Sequence, residues 1–208
     1  MAVDAQDRLY IADTLNHRVQ VLTPEGKPLL VFGISGEEPG QFVHPTGVSV
    51  DPLTNNIIVT DSHNHRVQLF NQAGEFLGSF GSQGAAPDQF DGPYETIVGV
   101  DRNLFTSDVH NERIVWRTLF GTQEKLVTVV PPLSFSGPLF KHPHGMAFNS
   151  DESVLYVADT GNNRIVGIRI KRPADDTLSP RALISSPATE ATVSGVVDVR
   201  GIAADARF

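Results

Sequence analysis

The amino-acid sequence predicts an all-β fold of four-stranded units stacked around an axis, a β-propeller, on three observations. One turn recurs four times, as Asp13-Thr14-Leu15-Asn16-His17-Arg18, Asp61-Ser62-His63-Asn64-His65-Arg66, Asp108-Val109-His110-Asn111-Glu112-Arg113 and Asp159-Thr160-Gly161-Asn162-Asn163-Arg164. Its arginines are spaced by 48, 47 and 51 residues, a period that signals a solenoid, propeller or array. Each turn sits among strand-length apolar or alternating runs closed by Gly, Pro, Asn or Asp, four runs to a unit. Finally, 14 prolines and 18 glycines punctuate the chain and no 3.6-residue apolar pattern persists, which excludes a helical solenoid.

The second unit shows the elements in order. Strand a follows His44-Pro45 and closes at Asp51; strand b runs from Asn56 to Asp61; strand c runs from Arg66 to Phe70; strand d runs from Gly74 to Gly81. Strands a and b are nearly continuous in apolar residues, as in Asn56-Ile57-Ile58-Val59 and Leu155-Tyr156-Val157-Ala158. That pattern is expected of inner strands covered on both faces by neighbouring blades. Ala2-Val3-Asp4 aligns with Ser49-Val50-Asp51, and residues 201–205 align with 47–51. The expected units are therefore about 1–41, 42–89, 90–139 and 140–198, with a fifth-unit stub at 199–208, in one propeller segment of something longer.

Composition adds bounds. At 208 residues and 40% hydrophobic the chain can build one substantial core, and no composition shift marks a domain boundary. A net charge of −8 disfavours whole-molecule attraction to RNA, DNA or anionic lipid, although one face could still be basic. The absence of cysteine rules out disulfides, Cys zinc sites and a Cys nucleophile within the chain. No run approaches the roughly 20 apolar residues of a spanning helix, and no signal segment opens the chain. The compartment stays open, with the cytoplasm as the default.

The pattern Pro-x-Gly-Val-x-Val-Asp, a strand ending in Asp, Asn-x-Arg-Val-Gln-Val/Leu, then Gly-Glu-Phe-Leu-x-x-Phe-Gly resembles the NHL repeat over nearly the whole chain. Gly36-Glu37-Glu38-Pro39-Gly40-Gln41-Phe42 and Gly84-Ala85-Ala86-Pro87-Asp88-Gln89-Phe90 resemble its spacer. The resemblance implies a six-bladed propeller of which this chain supplies about four blades, with apolar faces open on the first and last. It also implies a non-catalytic interaction scaffold, as in tripartite-motif proteins, where the propeller selects protein or RNA targets for zinc domains outside this chain. Bacterial NHL proteins share much of the same spacer. The third unit departs from the pattern, with Asp91-Gly92-Pro93-Tyr94-Glu95 where the second has Val43-His44-Pro45-Thr46-Gly47, and the fourth carries a polar insertion at 171–180.

The repeated Asp, Asn and Arg read first as scaffold: Asn tolerates left-handed turns, while Asp accepts turn amides and pairs with the following Arg. Histidine is more selective, since His17, His44, His63, His65, His110, His142 and His144 all fall in b-to-c turns or in the approach to strand a. Because strands alternate in direction, those segments emerge at one end of each blade, so the histidines are expected on one face. Three readings stay open: consensus loop residues; a ligand face of these histidines with Tyr94, Arg18, Arg66, Arg113 and Arg164; and a metal site near the axis. A protein or peptide partner fits the second, and RNA is disfavoured by net charge.

The metal reading draws on a resemblance to peptidyl-α-hydroxyglycine amidating lyase, which implies zinc-binding histidines directly after the Pro that leads strand a. The matching positions are Thr46, Tyr94, His144 and Arg200. His144 alone is a weak metal candidate, because catalytic zinc takes three protein ligands. The strand-closing pairs Asp51 and Asp61, Asp101 and Asp108 could hold a cation, but strand-end Asp is usually a turn acceptor. No P-loop Lys follows the glycines and no serine has a nucleophile-elbow context, so neither a catalytic residue nor a cofactor is expected.

Overall fold

The computed structural model describes residues 1–120, 125–129, 140–170 and 196–198. These form four four-stranded sheets, one per sequence unit. The first contains β1 (Ala2–Val3), β2 (Leu9–Asp13), β3 (Arg18–Leu22) and β4 (Pro28–Phe32); the second contains β5 (Pro45–Val50), β6 (Ile57–Asp61), β7 (Arg66–Phe70) and β8 (Phe76–Phe80). The third contains β9 (Pro93–Val98), β10 (Asn103–Asp108), β11 (Arg113–Phe120) and β12 (Lys125–Val129); the fourth contains β13 (Pro143–Phe148), β14 (Val154–Asp159), β15 (Arg164–Arg169) and β16 (Val196–Asp198). In the first three, strands pair antiparallel in sequence order, the up-and-down blade of a propeller. The fourth differs: β16 lies parallel to β15. The connection across 170–195 is long enough for the return that a parallel neighbour requires. The expected insertion at 171–180 and the stub at 199–208 lie outside the described residues.

The continuous apolar strands follow from stacking. In β6, Ile57 and Val59 pack against Tyr10, Val19 and Val21 of the first blade, whereas Ile58 packs with Leu104 and Val115 of the third. Successive side chains on a strand point to opposite faces, so a strand between two neighbours is apolar at every position. The third interface joins Phe105 to Met146, Leu155 and Val157. A buried hydroxyl chain also crosses between blades, Thr60 Oγ1 donating to Thr96 Oγ1 at 2.9 Å, with Thr106 Oγ1 3.0 Å beyond.

The spacer has a steric logic. The buried rings of Phe42 and Phe90 lie directly over Gly33 and Gly81, whose φ angles are +92° and +98°. A Cβ at either glycine would stand within 2.5 Å of the ring, so the link accepts only Gly there.

Apolar faces are open at both ends of the stack. Tyr156 and Ile165 are 42% and 59% exposed, although their counterparts in the second blade, Ile58 and Val67, are fully buried. Leu9, Ile11 and Leu22 of the first blade are likewise only partly covered, where Ile57, Val59 and Phe70 are sealed. Among the described residues no helix is long and apolar enough to cross a membrane.

Candidate binding face

The recurrent turn is a clamp on the chain that links one blade to the next. In the second blade, Asp61 is fully buried, and its Oδ1 accepts the Val43 amide at 2.8 Å. Its Oδ2 accepts Asn64 Nδ2, Arg66 Nε and Gln68 Nε2 at 2.8, 2.8 and 3.0 Å. Arg66 then turns its remaining nitrogens onto the spacer, Nη1 to the Glu37 carbonyl at 2.6 Å and Nη2 to the Glu38 and Gln41 carbonyls at 3.0 Å. The third blade repeats this, with Asp108 holding the Asp91 amide, Asn111 and Arg113, and Arg113 gripping the Ala85, Ala86 and Gln89 carbonyls. In the fourth, Asp159 holds the Lys141 amide, Asn162 and Arg164.

Differences within the clamp set its electrostatics. Val115 stands where the second blade has Gln68, so Asp108 has one donor fewer, and burial pushes its carboxyl upward against the bonds of Asn111 and Arg113. Asp13 lies near the surface, and its bonds to Arg18 and Asn16 hold its carboxyl below the usual range. The other members of the two carboxylate pairs named from the sequence, Asp51 and Asp101, are used otherwise. Asp51 is buried in an ion pair with Arg102 of the next blade at 2.9 Å, and Asp101 accepts the Asn103 amide.

The turn geometry also corrects one expectation. Asn16, Asn64, Asn111 and Asn162 do not take the left-handed conformation; each ends a turn with its side chain on the Asp. The left-handed position is the following residue, at His17, His65, Glu112 and Asn163, with φ between 51° and 54°. A second left-handed position precedes the Pro of strand a, at His44, Gly92 and His142. Four of the seven histidines therefore occupy slots that His, Asn and Gly tolerate better than other residues.

Two of these four also bridge blades. His17 Nδ1 accepts the His44 amide and His65 Nδ1 accepts the Gly92 amide, both at 3.2 Å. Two further rings, His63 and His110, adjoin these links. His63 Nδ1 lies 2.9 Å from His44 Nδ1, with His17 packed against His44 at 4.8 Å between centroids. His110 Nδ1 lies 3.5 Å from Asp91, which also neighbours His65. Burial, then the positive charge of a protonated His44, pushes the His63 imidazole below its ordinary value of 6.5. The unfolded chain therefore binds this proton more tightly, so its contribution to stability is complete above about pH 6.5 and is lost as pH falls through the lowered folded value. His63→Gln is expected to reduce the acid loss of stability between pH 7 and 5, read as a flatter dependence of the urea midpoint on pH.

At the axis, the first strand of each sheet packs on the first strand of the next. Each of β5, β9 and β13 starts with a bulge: Thr46 is extra between Pro45 and Gly47, Tyr94 and Glu95 together oppose Ser107, and His144 and Gly145 together oppose Ala158. Thr46 Oγ1 donates to the Tyr94 carbonyl, and the Tyr94 ring stacks on His144 at 4.5 Å and 22°. Glu95 Oε2 accepts the Met146 amide at 2.5 Å. Sequence reasoning named Tyr94 and His144 but missed Glu95; the signal was available, since Glu95 replaces the Gly found at positions 47 and 145. Among the described residues no three His, Asp or Glu side chains converge as metal ligands, so His144 has no partners there for a zinc site.

A sheet stack of up-and-down blades joined by clamped links defines a β-propeller. The NHL repeat family matches residues 1–22, 42–70 and 140–168, segments that fold as parts of three of the propeller blades. The third unit, with its altered start to strand a, falls between the matches. Protein brain tumor of Drosophila melanogaster is 40% identical over 59 residues, 28% of this chain and 6% of that protein. Among solved structures, a gluconolactonase from Xanthomonas campestris superposes with a TM-score of 0.58 at 18% identity, covering 81% of this chain and 56% of its own. A streptogramin B lyase gives 0.55 at 17%, covering 82% and 54%, and a nidogen/laminin complex gives 0.53 at 17%, covering 75% and 54%. The chain spans just over half the length of these structures, and at such identities the likeness is one of fold.

Proposed function

We propose that the chain is an interaction scaffold that binds a protein partner on the face formed by its b-to-c turns and blade links. The observation that carries this reading is the division of labour on that face. Repeated residues are consumed by the clamp, while residues that differ between units stay accessible: His63, Glu37, Glu38, Asp88 and Tyr94. Loops held on a rigid scaffold are where partner recognition concentrates. Arg66 and Arg113 spend their donors on spacer carbonyls, and the acidic side chains of the spacers point to solvent, so the face suits a basic protein segment better than nucleic acid. The fold the chain shares with a structure solved as a nidogen/laminin complex accords with a partner-binding propeller. The open sheet faces of the first and fourth units suit further blades of the same kind.

The test is selection of binding peptides from a random display library against the wild-type chain, followed by measurement on a Glu37→Lys, Glu38→Lys, His63→Ala variant. Selected peptides are expected to be basic and to lose most of their affinity for the variant, whose urea midpoint stays at the wild-type value. Peptides that bind both proteins equally would remove the face from consideration.

A further inference from the structure

We propose that Tyr94, Glu95 and His144, at the axial mouth of this face, form a subsite for the cationic side chain, lysine or arginine, of a partner peptide. The inference rests on the reading of the face as a partner-binding surface and specifies its central contact. In the second blade the strand-a bulge carries Thr46 and Gly47, and in the fourth it carries His144 and Gly145. The third blade alone places both an aromatic ring and a carboxylate there. A scaffold gains one inter-blade hydrogen bond from this exchange, from the Met146 amide, and for it a half-buried carboxylate loses hydration with no second donor on its side chain. No Lys or Arg among the described residues pairs with it.

The surroundings select a cation. Tyr94 is 40% exposed and stacked on His144, while the next residue, Glu95, reaches Met146 on the same fourth-blade strand, so an aromatic ring and a carboxylate both meet the start of β13; ammonium and guanidinium groups pair with both. Burial, with His142 nearby, pushes the His144 imidazole below its ordinary value and favours its neutral form, which does not repel a cation. Burial raises the Glu95 carboxyl against the opposing pull of the Met146 amide and the charge of the Met1 amino terminus, and an arriving cation relieves the rise that remains. A net charge of −8 and the exposed Glu37, Glu38 and Asp88 draw basic segments toward the mouth.

Met146 makes the site directly observable, because the chain has only two methionines and the other is Met1. With ¹³C-methyl methionine in the full chain, the probe is an acetylated, amidated glycine pentapeptide with arginine at its centre, compared with the same peptide carrying uncharged citrulline. The arginine peptide is expected to shift the Met146 methyl signal in a saturable way, with the citrulline peptide at least about tenfold weaker. Glu95→Gln should weaken the arginine peptide by a similar factor. The double variant Tyr94→Thr, Glu95→Gly gives the third blade the second blade's bulge, so it should fold and show no shift. Equal binding of the citrulline peptide, undiminished binding to Glu95→Gln, a larger shift from a single-stranded RNA oligomer, or no shift at all overturns the subsite. Arginine-peptide binding that survives Glu95→Gln but fails in Glu37→Lys, Glu38→Lys moves recognition to the outer links. That result would leave the interaction face standing without its axial contact.

Discussion

Asp61→Ala is expected to destabilise the protein by about 3–5 kcal/mol, the cost of breaking a buried ion pair by removing one partner. The carboxylate is fully buried and collects four donors: the Val43 amide, Asn64, Arg66 and Gln68. Its loss leaves the side-chain nitrogen of Gln68, a fully buried residue, with a single acceptor, the Gln41 carbonyl, and frees the link between the first and second blades at Val43. Asp61→Asn keeps the shape but loses the charge, and should fall between wild type and Asp61→Ala. Arg66→Ala should cost less than Asp61→Ala, because Val43, Asn64 and Gln68 still satisfy the carboxylate. Urea unfolding of the three variants checks the order. If Arg66→Ala proves neutral, the three spacer carbonyls it holds contribute nothing and the clamp reduces to the carboxylate.

The clamp also marks the boundary of what the amino-acid sequence made legible. Asp, Asn and Arg at fixed spacing identified the b-to-c turn in every unit, and the continuous apolar strands signalled blades covered on both faces, because both patterns are local and repeat. The reach of Arg66 to Glu37, Glu38 and Gln41 was not legible, since it joins a turn to a spacer more than twenty residues earlier. The sequence therefore offered Arg66 and Arg113 as ligand contacts, while their geometry commits them to the blade links. Histidines looked uniform in the sequence and are sorted by backbone conformation: His17, His44, His65 and His142 fill left-handed positions, whereas His144 sits on an axial bulge. Glu95 was legible only as a departure from the repeat, because a single Gly-to-Glu exchange inside a strand carries no motif; its contacts come from the neighbouring blade, which supplies the Met146 amide.

Arg117→Leu is expected to stabilise the protein, by about 1–4 kcal/mol, because well-packed apolar side chains often outperform buried charges. Arg117 pairs with Leu104 across β10 and β11, and the same register holds Leu22 against Leu9, Phe70 against Ile57 and Ile168 against Leu155. Three blades thus carry an apolar residue where the third carries a guanidinium, only 1% exposed. Its Nε and Nη1 have no hydrogen-bond partner, and Nη2 reaches the Pro87 carbonyl at a long 3.5 Å. Burial pushes its pKa down to about 10, so the group stays charged at neutral pH, although no described carboxylate is within ion-pair distance of it. What favours the charge is the more distant Asp88, together with the guanidinium's position 4.6 Å from the Phe80 ring centroid and 5.3 Å from that of Phe90. Two such contacts are worth about 2 kcal/mol each when desolvated, against several for taking an ion out of water. The sign of the change in urea midpoint decides between them. A lower midpoint for Arg117→Leu would mean that the two aromatic faces outweigh the missing partners; a higher one would identify the third blade's core as carrying a charge that its fold does not require.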